Sequence, residues 1–496
     1  MNMIDWKNKK VAVLGLGVEG LSSVRFLVKR GAKVTVLDRK KEEELEEAIQ
    51  KLTIYSSSDA ESRVQKSDLN SSSRLTSFSR TITFRGGESC LKDLKKFDVI
   101  VRSPGVKRNL PEILEAEKNG VVITSQTKMF FDLCPCPIIG VTGTKGKGTT
   151  STLIYEMLKK SFDSAPHQTG QGSAQDKHVY LGGNIGKPPF EFLDKLNPQS
   201  WVVLELSSFQ LQDLTKSPHI AIILMLTSEH LDYHKDVNEY VDAKRNIVRF
   251  QNSSDFAIIN RDYLASHESD IHTNAKVFKV SKEGKVGEGC FVKDGAVKLK
   301  IKNEKLKIID TKDILLPGKH NLENVCAAVM ASTIVGVSKE NIVKVLKTFK
   351  GLEHRLELVG EVNGVRYYDD SFSTTPETAI AAIKAFENPE ILILGGSSKG
   401  SDFTELGRVI NEAKNIKAII GIGVEWKRIK AQFIIHNSEF IIIERAKDMK
   451  TIIAAVSKIA EPGDVVLLSP ACASFDMFKN YKDRGEQFKK EVRKIH

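Results

Sequence analysis

Along the chain, short apolar runs alternate with stretches in which apolar residues recur every three or four positions. The runs VAVLGLG, VTVLD, FDVIVRSP, VVITS, PIIGVTG, WVVLELS, IAIILML, ILILGG and DVVLLSP predict strands buried on both faces, as in parallel sheets. The periodic stretches between them, such as VEGLSSVRFLVKR and STLIYEML, predict helices packed on those sheets. Strand and helix patterns in alternation predict an α/β fold in three successive domains. Residues 1–130 are expected to form a Rossmann-like domain, 131–351 a central P-loop ATPase-type parallel sheet, and 352–496 a C-terminal Rossmann-like domain. Two polar runs interrupt the pattern. A serine-rich stretch at about 55–80 and the run Asp163–His178 are both expected to be loop insertions.

The most informative junction is PIIGVTGTKGKGTT, a strand that runs through Gly143, Thr144, Lys145, Gly146, Lys147, Gly148, Thr149 and Thr150 into a helix. Glycines there let backbone N–H groups converge on an anion at a helix N-terminus, and Lys147 has the reach to meet terminal phosphates. Gly148 follows the lysine where serine or threonine is usual, so the Mg²⁺-binding hydroxyl falls to Thr149. The implied ligand is a nucleoside triphosphate.

A second glycine turn, GLGVEG (Gly15–Gly20), follows the first strand, with Asp38 where a ribose-binding acid would lie. Alone it suggests a nicotinamide enzyme, yet the same turn holds any pyrophosphate. Ser103-Pro104-Gly105 ends another strand, the usual ligand-binding edge of an α/β sheet. Glu205 interrupts the apolar run of WVVLEL; a metal ion or a structural salt bridge would explain it. His230, just beyond IAIILML, would face Glu205 if the two strands are neighbours. Lys244 reads as a solvated cation, and Asn321 and Asn324 as helix-capping residues.

Composition narrows the partners. The net charge is +11, but lysine and glutamate are interleaved and no basic–aromatic cluster marks a nucleic-acid surface. No apolar run is long enough for a membrane span, and the N-terminus lacks an apolar signal core, so a cytoplasmic location is expected. The six cysteines contain no CxxC; they predict reduced thiols, with neither a disulfide framework nor a zinc site, and CPCP reads as a linker.

The motifs GTKGKGTT, GGNIG, LELSSFQL, EHLDYH with DAKRNIV, GKHNLENV, GLEHRLE, DDS and LLSPACASFDMFKNYKDRGEQF occur in the order found in the Mur ligase family, which the chain resembles over nearly its whole length. LELSSFQL and the last of these favour the D-glutamate-adding type. The resemblance implies ATP-driven addition of D-glutamate to UDP-N-acetylmuramoyl-L-alanine through an acyl phosphate, by a monomer engaged in peptidoglycan precursor synthesis. It assigns Lys147 to the γ-phosphate and implies two Mg²⁺ sites, one at Thr149 and Glu205 and one at His230. Lys244 matches the family's carbamylated lysine, whose CO₂-derived carbamate supports the second metal. Asn321, Asn324, His354, Arg355 and Asp370 match the nucleotide contacts, and Asn184 lies near the reacting carboxylate. Thr374, Lys399, Ser474, Phe475 and Tyr481 match the D-glutamate contacts. Val18, Glu19, Asp38, Arg39, Ser103 and Gly105 would hold uridine diphosphate. Departures are Gly148, Glu229 for aspartate, Phe372 for lysine, Arg39-Lys40 for a Thr-Arg pair, and SQTKMF for an acidic segment. The alternatives are a sister ligase adding another amino acid, a folylpolyglutamate synthetase-like enzyme, a nicotinamide dehydrogenase, or a non-catalytic nucleotide-binding regulator.

Overall fold

The computed structural model describes residues 5–52, 82–164, 178–230, 233–302, 304–398, 400–433, 440–444 and 446–495. The serine-rich stretch, most of the second polar run and Lys399 lie outside the described residues. The chain forms two compact units: Met1–Val292 with Lys298–Leu306 and Cys326–Ile342, and Lys293–Val297 with Lys307–Val325 and Val343–His496.

The first unit holds two sheets. In the N-terminal one, β1 (Lys10–Leu14), β2 (Lys33–Asp38), β3 (Ile82–Gly86), β4 (Val99–Arg102) and β5 (Val122–Ser125) run parallel in the order β3-β2-β1-β4-β5. Helix α1 (Val18–Lys29) leaves the glycine turn after β1, and α2 (Gln126–Leu133) follows β5 directly. Gly20 has no substitute here. A Cβ at that position would lie 2.0 Å from the Gly15 carbonyl oxygen, so only a bare backbone lets α1 start this close to β1.

The central sheet includes β6 (Ile138–Thr142), β7 (Val179–Gly183), β8 (Trp201–Glu205), β9 (Ile220–Ile223), β10 (Phe256–Asn260), β11 (Lys276–Ser281) and β12 (Gly289–Lys293), with neighbours in the order β12-β11-β10-β9-β6-β8-β7. All these pairs are parallel. Every residue of β6 and β9 is buried, which explains apolar runs without alternation. Helix α3 (Lys147–Asp163) follows β6, and α4 (Val237–Arg249) lies between β9 and β10 in the chain. The two sheets share one core: Phe26 of α1 stacks on Phe190 at 3.9 Å between ring centres, and Lys29 pairs with Asp194 at 2.7 Å. The Lys29 pair is exposed and adds little stability.

Strands β13 (Ala296–Ile301) and β14 (Glu304–Asp310) occur where the chain passes between units. In the second unit, β15 (Glu357–Val362), β16 (Val365–Asp369), β17 (Glu390–Gly395), β18 (Ile416–Ile422), β19 (Ile441–Ile443) and β20 (Val465–Leu468) form a sheet ordered β15-β16-β20-β17-β18-β19. Only β15 is antiparallel to its neighbour. It turns back through Asn363-Gly364, both at positive φ, the hairpin that this dipeptide predicts. Helices α5 (Pro376–Ile383) and α6 (Tyr481–Val492) belong to the same unit.

Glu390, at the start of β17, is fully buried, and neither carboxyl oxygen has a hydrogen-bond partner. Asn415 is near, but its amide donates to the Phe386 and Asn388 carbonyls. Burial pushes the carboxyl up to about 9, so it is a neutral acid in the folded chain at neutral pH. The folded state therefore holds a proton that the unfolded state has lost above the ordinary carboxyl range. Stability should fall as pH rises between about 4.5 and about 9, by roughly 1.4 kcal/mol per pH unit from this group. Glu390→Gln is expected to remove that slope and to raise the unfolding temperature most at the alkaline end, as melting curves at pH 6 to 9 would show.

Candidate active site

The central phosphate loop is held open by its own sequence. Gly146 caps α3 at φ +85°, a left-handed turn that puts Lys147 in the first helical position. Thr144 braces the loop: its N–H donates to the Met225 carbonyl at 2.6 Å, and its hydroxyl accepts from the Thr227 N–H at 2.9 Å and lies 3.0 Å from the Tyr240 hydroxyl. The Lys147 ammonium donates to the carbonyls of Gly143 and Thr144, at 3.0 and 3.1 Å. Gly148, Thr149 and Thr150 are buried in the first turn of α3, while Lys145 points outward and pairs with Glu229 at 2.7 Å.

Around the loop, neighbouring strands supply the other side chains. Glu205 ends β8 directly beside Val141 of β6. Asn184 binds it twice: its N–H donates to the Glu205 carbonyl, and its amide donates to Glu205 Oε1, both at 2.9 Å. Strands β8 and β9 are not neighbours, because β6 lies between them. Glu205 and His230 therefore leave the sheet on opposite sides of the phosphate loop, correcting the expectation of adjacent strands. His230 sits at φ +58°, about half exposed, with its ring 4.9 Å from Phe209 and its Nε2 3.8 Å from Glu229.

Lys244 differs from its sequence reading. It is 2% exposed, not solvated, and donates to the Gly143 carbonyl at 2.9 Å and to the Thr142 hydroxyl at 3.4 Å. Burial, reinforced by the positive Lys147, pushes the amine well below its ordinary range. The amine 4.8 Å from the Tyr240 ring is thus one that gives up its proton readily.

In the N-terminal glycine turn, the Asp38 carboxylate accepts from the Leu16 and Lys40 N–H groups at 2.8 and 2.9 Å, tying the ends of β1 and β2. Ser103 donates to the Gly15 carbonyl at 3.0 Å. Val18, Arg39 and Gly105 are exposed at this edge. Glu19 turns inward: Gln210 donates to one carboxyl oxygen at 2.6 Å, the other is buried without a partner, and burial lifts the group to about 7.

Sequence reasoning missed Arg102. Fully buried at the end of β4, it pairs with Asp213 through Nε and Nη2 at 2.9 and 2.5 Å, and donates to the Tyr233 hydroxyl at 2.9 Å and the Phe209 carbonyl at 2.9 Å. One guanidinium thereby ties the N-terminal sheet to the segment after Glu205 and to the segment carrying His230.

In the second unit, Asn321 donates to the Pro317 carbonyl at 2.6 Å and accepts from Asn324 at 2.9 Å. His354 is buried against Asp369, with Nδ1 2.7 Å from the carboxylate. Asp370 accepts from the Leu356 N–H at 3.1 Å and the Ser469 hydroxyl at 2.7 Å; burial raises it to about 7. Phe372, the departure from lysine, lies under the Arg355 guanidinium at 4.4 Å and edge-on to Tyr481 at 5.1 Å, so a cation–π contact stands in its place. Thr374 is half-buried, Ser474 is buried, and Phe475 is 72% exposed, with its N–H donating to Ser397 at 3.1 Å. The buried Arg484, another residue that the sequence did not flag, donates to the Ser371 hydroxyl and carbonyl, each at 2.9 Å, and to the Cys472 carbonyl at 3.1 Å. It fastens the DDS and SPACAS loops together.

Among the described residues, three metal-type ligand atoms lie within 4.8 Å of one another only around His354, in the sets Glu353–His354–Glu486 and His354–Glu357–Asp369. The Lys489 ammonium already neutralises that cluster, 2.8 Å from Glu357 and 3.2 Å from Glu486. Glu205 and His230 form no such set. Glu205 is a hard oxygen donor of the kind Mg²⁺ takes, as is the Thr149 hydroxyl; an imidazole such as His230 is a less usual partner for that ion.

A phosphate loop on a parallel sheet, ringed by a carboxylate and a buried lysine and followed by a further α/β sheet, is the arrangement of a nucleotide-using enzyme. The chain belongs to the Mur ligase family. Residues 141–332 match the Mur ligase middle domain, 354–472 the Mur ligase glutamate ligase domain, and 9–73 the MurD-like N-terminal domain. Curated relatives named UDP-N-acetylmuramoylalanine--D-glutamate ligase include that of Acetivibrio thermocellus, 36% identical over 99% of this chain and 97% of its own length, and that of Symbiobacterium thermophilum, 36% identical over 98% of each. Among solved structures, the UDP-N-acetylmuramate-alanine ligase of Thermotoga maritima aligns over 98% of this chain and 99% of its own, with a TM-score of 0.54 and 16% identity, a likeness of fold.

Proposed function

We propose that the protein is an ADP-forming ligase that adds D-glutamate to UDP-N-acetylmuramoyl-L-alanine, using ATP. The observation that carries this reading is 36% identity, along almost the full length of both chains, to ligases bearing that name. In this reading residues 1–130 hold the UDP-linked substrate, 131–351 hold ATP, and 352–496 receive D-glutamate. The substrate carboxylate attacks the γ-phosphorus, ADP leaves, and the amine of D-glutamate then displaces phosphate from the acyl phosphate. Lys147 and the N–H groups of the loop offset the negative charge that gathers as two anions meet. Bound Mg²⁺ would further neutralise the phosphates, with Thr149 and Glu205 as its protein ligands and Asn184 holding the Glu205 carboxylate in place.

Lys244 in its neutral form is suited to add CO₂: the amine nitrogen bonds the carbon, one proton leaves, and the neutral side chain becomes an anionic carbamate with two oxygen donors. Its burial beside Lys147 supports this assignment, because the ammonium form is disfavoured there. Oxygen donors on Lys244 would also make a second metal site beside His230 more favourable than imidazole alone.

The direct test is phosphate release from ATP and UDP-N-acetylmuramoyl-L-alanine with Mg²⁺, comparing D-glutamate with L-glutamate, L-alanine and diaminopimelate. Turnover is expected with D-glutamate. Release with one of the other amino acids alone would assign the protein to a sister activity.

A further inference from the structure

We propose that Cys134 and Cys136 are a reactive thiol pair that exchanges with low-molecular-weight disulfides and closes to an intramolecular disulfide at the entrance to the central sheet. The Sγ atoms lie 3.6 Å apart, and Cys134 Sγ is 3.4 Å from the Cys136 carbonyl oxygen. A disulfide needs about 2.05 Å, so closure takes a movement of about 1.5 Å, within the reach of χ1 adjustments. Cys134 caps α2 with an extended backbone (φ −66°, ψ 121°), as a residue before proline must. Pro135 and Pro137 each fix a φ angle in the segment Cys134–Ile138, so the two thiols stay close instead of sampling a flexible linker.

Access separates Cys134, which is half-buried, from the other thiols, with Cys136 9% exposed beside it. Both cysteines line a cleft of about 330 Å³ together with Lys216, His219 and Asp255, room for a small polar disulfide. Cys90, Cys290, Cys326 and Cys472 are each at most 3% exposed. The hydrogen bond shared by the two thiols lowers Cys134 from its ordinary range and raises Cys136, so Cys134 is the one that ionises first. No step of the ligase reaction uses this pair, and the inference stands apart from that reading.

The exchange balances without any other reagent. The Cys134 thiolate attacks one sulfur of a disulfide RSSR and expels RS⁻, leaving a mixed disulfide. The Cys136 thiol then loses its proton, and its sulfur attacks Cys134 and expels the second RS⁻. The protein is oxidised by two electrons, and RSSR is reduced to two RSH.

The test uses the reduced full-length protein and glutathione disulfide, followed by alkylation and peptide mass mapping. A Cys134–Cys136 disulfide is expected in the wild type, and Cys136→Ser should stop at a glutathione adduct on Cys134. In native wild-type protein, iodoacetamide should label Cys134 at least about tenfold faster than Cys90, Cys290, Cys326 and Cys472, a measurement that needs no variant. Equal labelling rates, or glutathione adducts on both cysteines with no internal disulfide, would overturn the proposal.

Discussion

Lys244→Ala should lower turnover by about a hundredfold or more, and millimolar acetate or formate should restore part of it. Lys244 is 2% exposed and shares its pocket with the positive Lys147, so an ammonium there is disfavoured and would repel the second metal ion of the proposed reaction. As a carbamate the same side chain becomes a ligand. Alanine removes it and leaves a hole lined by Thr142, Gly143 and Tyr240, into which a short carboxylate can place its oxygens. Wild-type activity should also fall in CO₂-depleted buffer and recover with bicarbonate, more readily as pH rises, because only the unprotonated amine adds CO₂. An alanine variant with full activity would remove the carbamate from the mechanism.

Arg102→Ala should cost about 3–5 kcal/mol of stability in the first unit, because Asp213 would keep its charge in a buried site without its partner. The neighbouring Arg108, 3.3 Å from the other Asp213 oxygen, offsets part of this loss. Replacing the pair together, as Arg102→Met with Asp213→Leu, should recover much of the stability while loosening the tie between the N-terminal sheet and the segment after Glu205. Urea unfolding of the wild type and both variants, followed by activity at saturating substrate, separates the two effects. A single variant as stable as the wild type would show that the pair is dispensable.

What the sequence revealed and what it withheld follow from distance along the chain. Strand, glycine loop and Lys147 are contiguous, so their geometry is written in one stretch. The Asn363-Gly364 hairpin is legible for the same reason. Arg102 and Asp213 are 111 positions apart, and Glu19 and Gln210 are 191 apart; neither pairing has a local signature. The relation of Glu205 to His230 depended on strand order, which apolar runs do not encode, and β6 proved to lie between them. Lys244 looked solvated because lysine usually is, and only the packing of α4 shows otherwise. Phe372 read as a departure, yet its ring occupies the space beside Arg355 and Tyr481 in a contact that no spacing rule anticipates.

The resting position of Lys147 has a consequence for how quickly the loop can be loaded. Its ammonium leans on two peptide oxygens of its own turn, which are dipoles and not counter-ions. An arriving phosphate oxygen carries a formal charge that those two carbonyls lack, so the ammonium gains a stronger, charge-assisted hydrogen bond by turning to it.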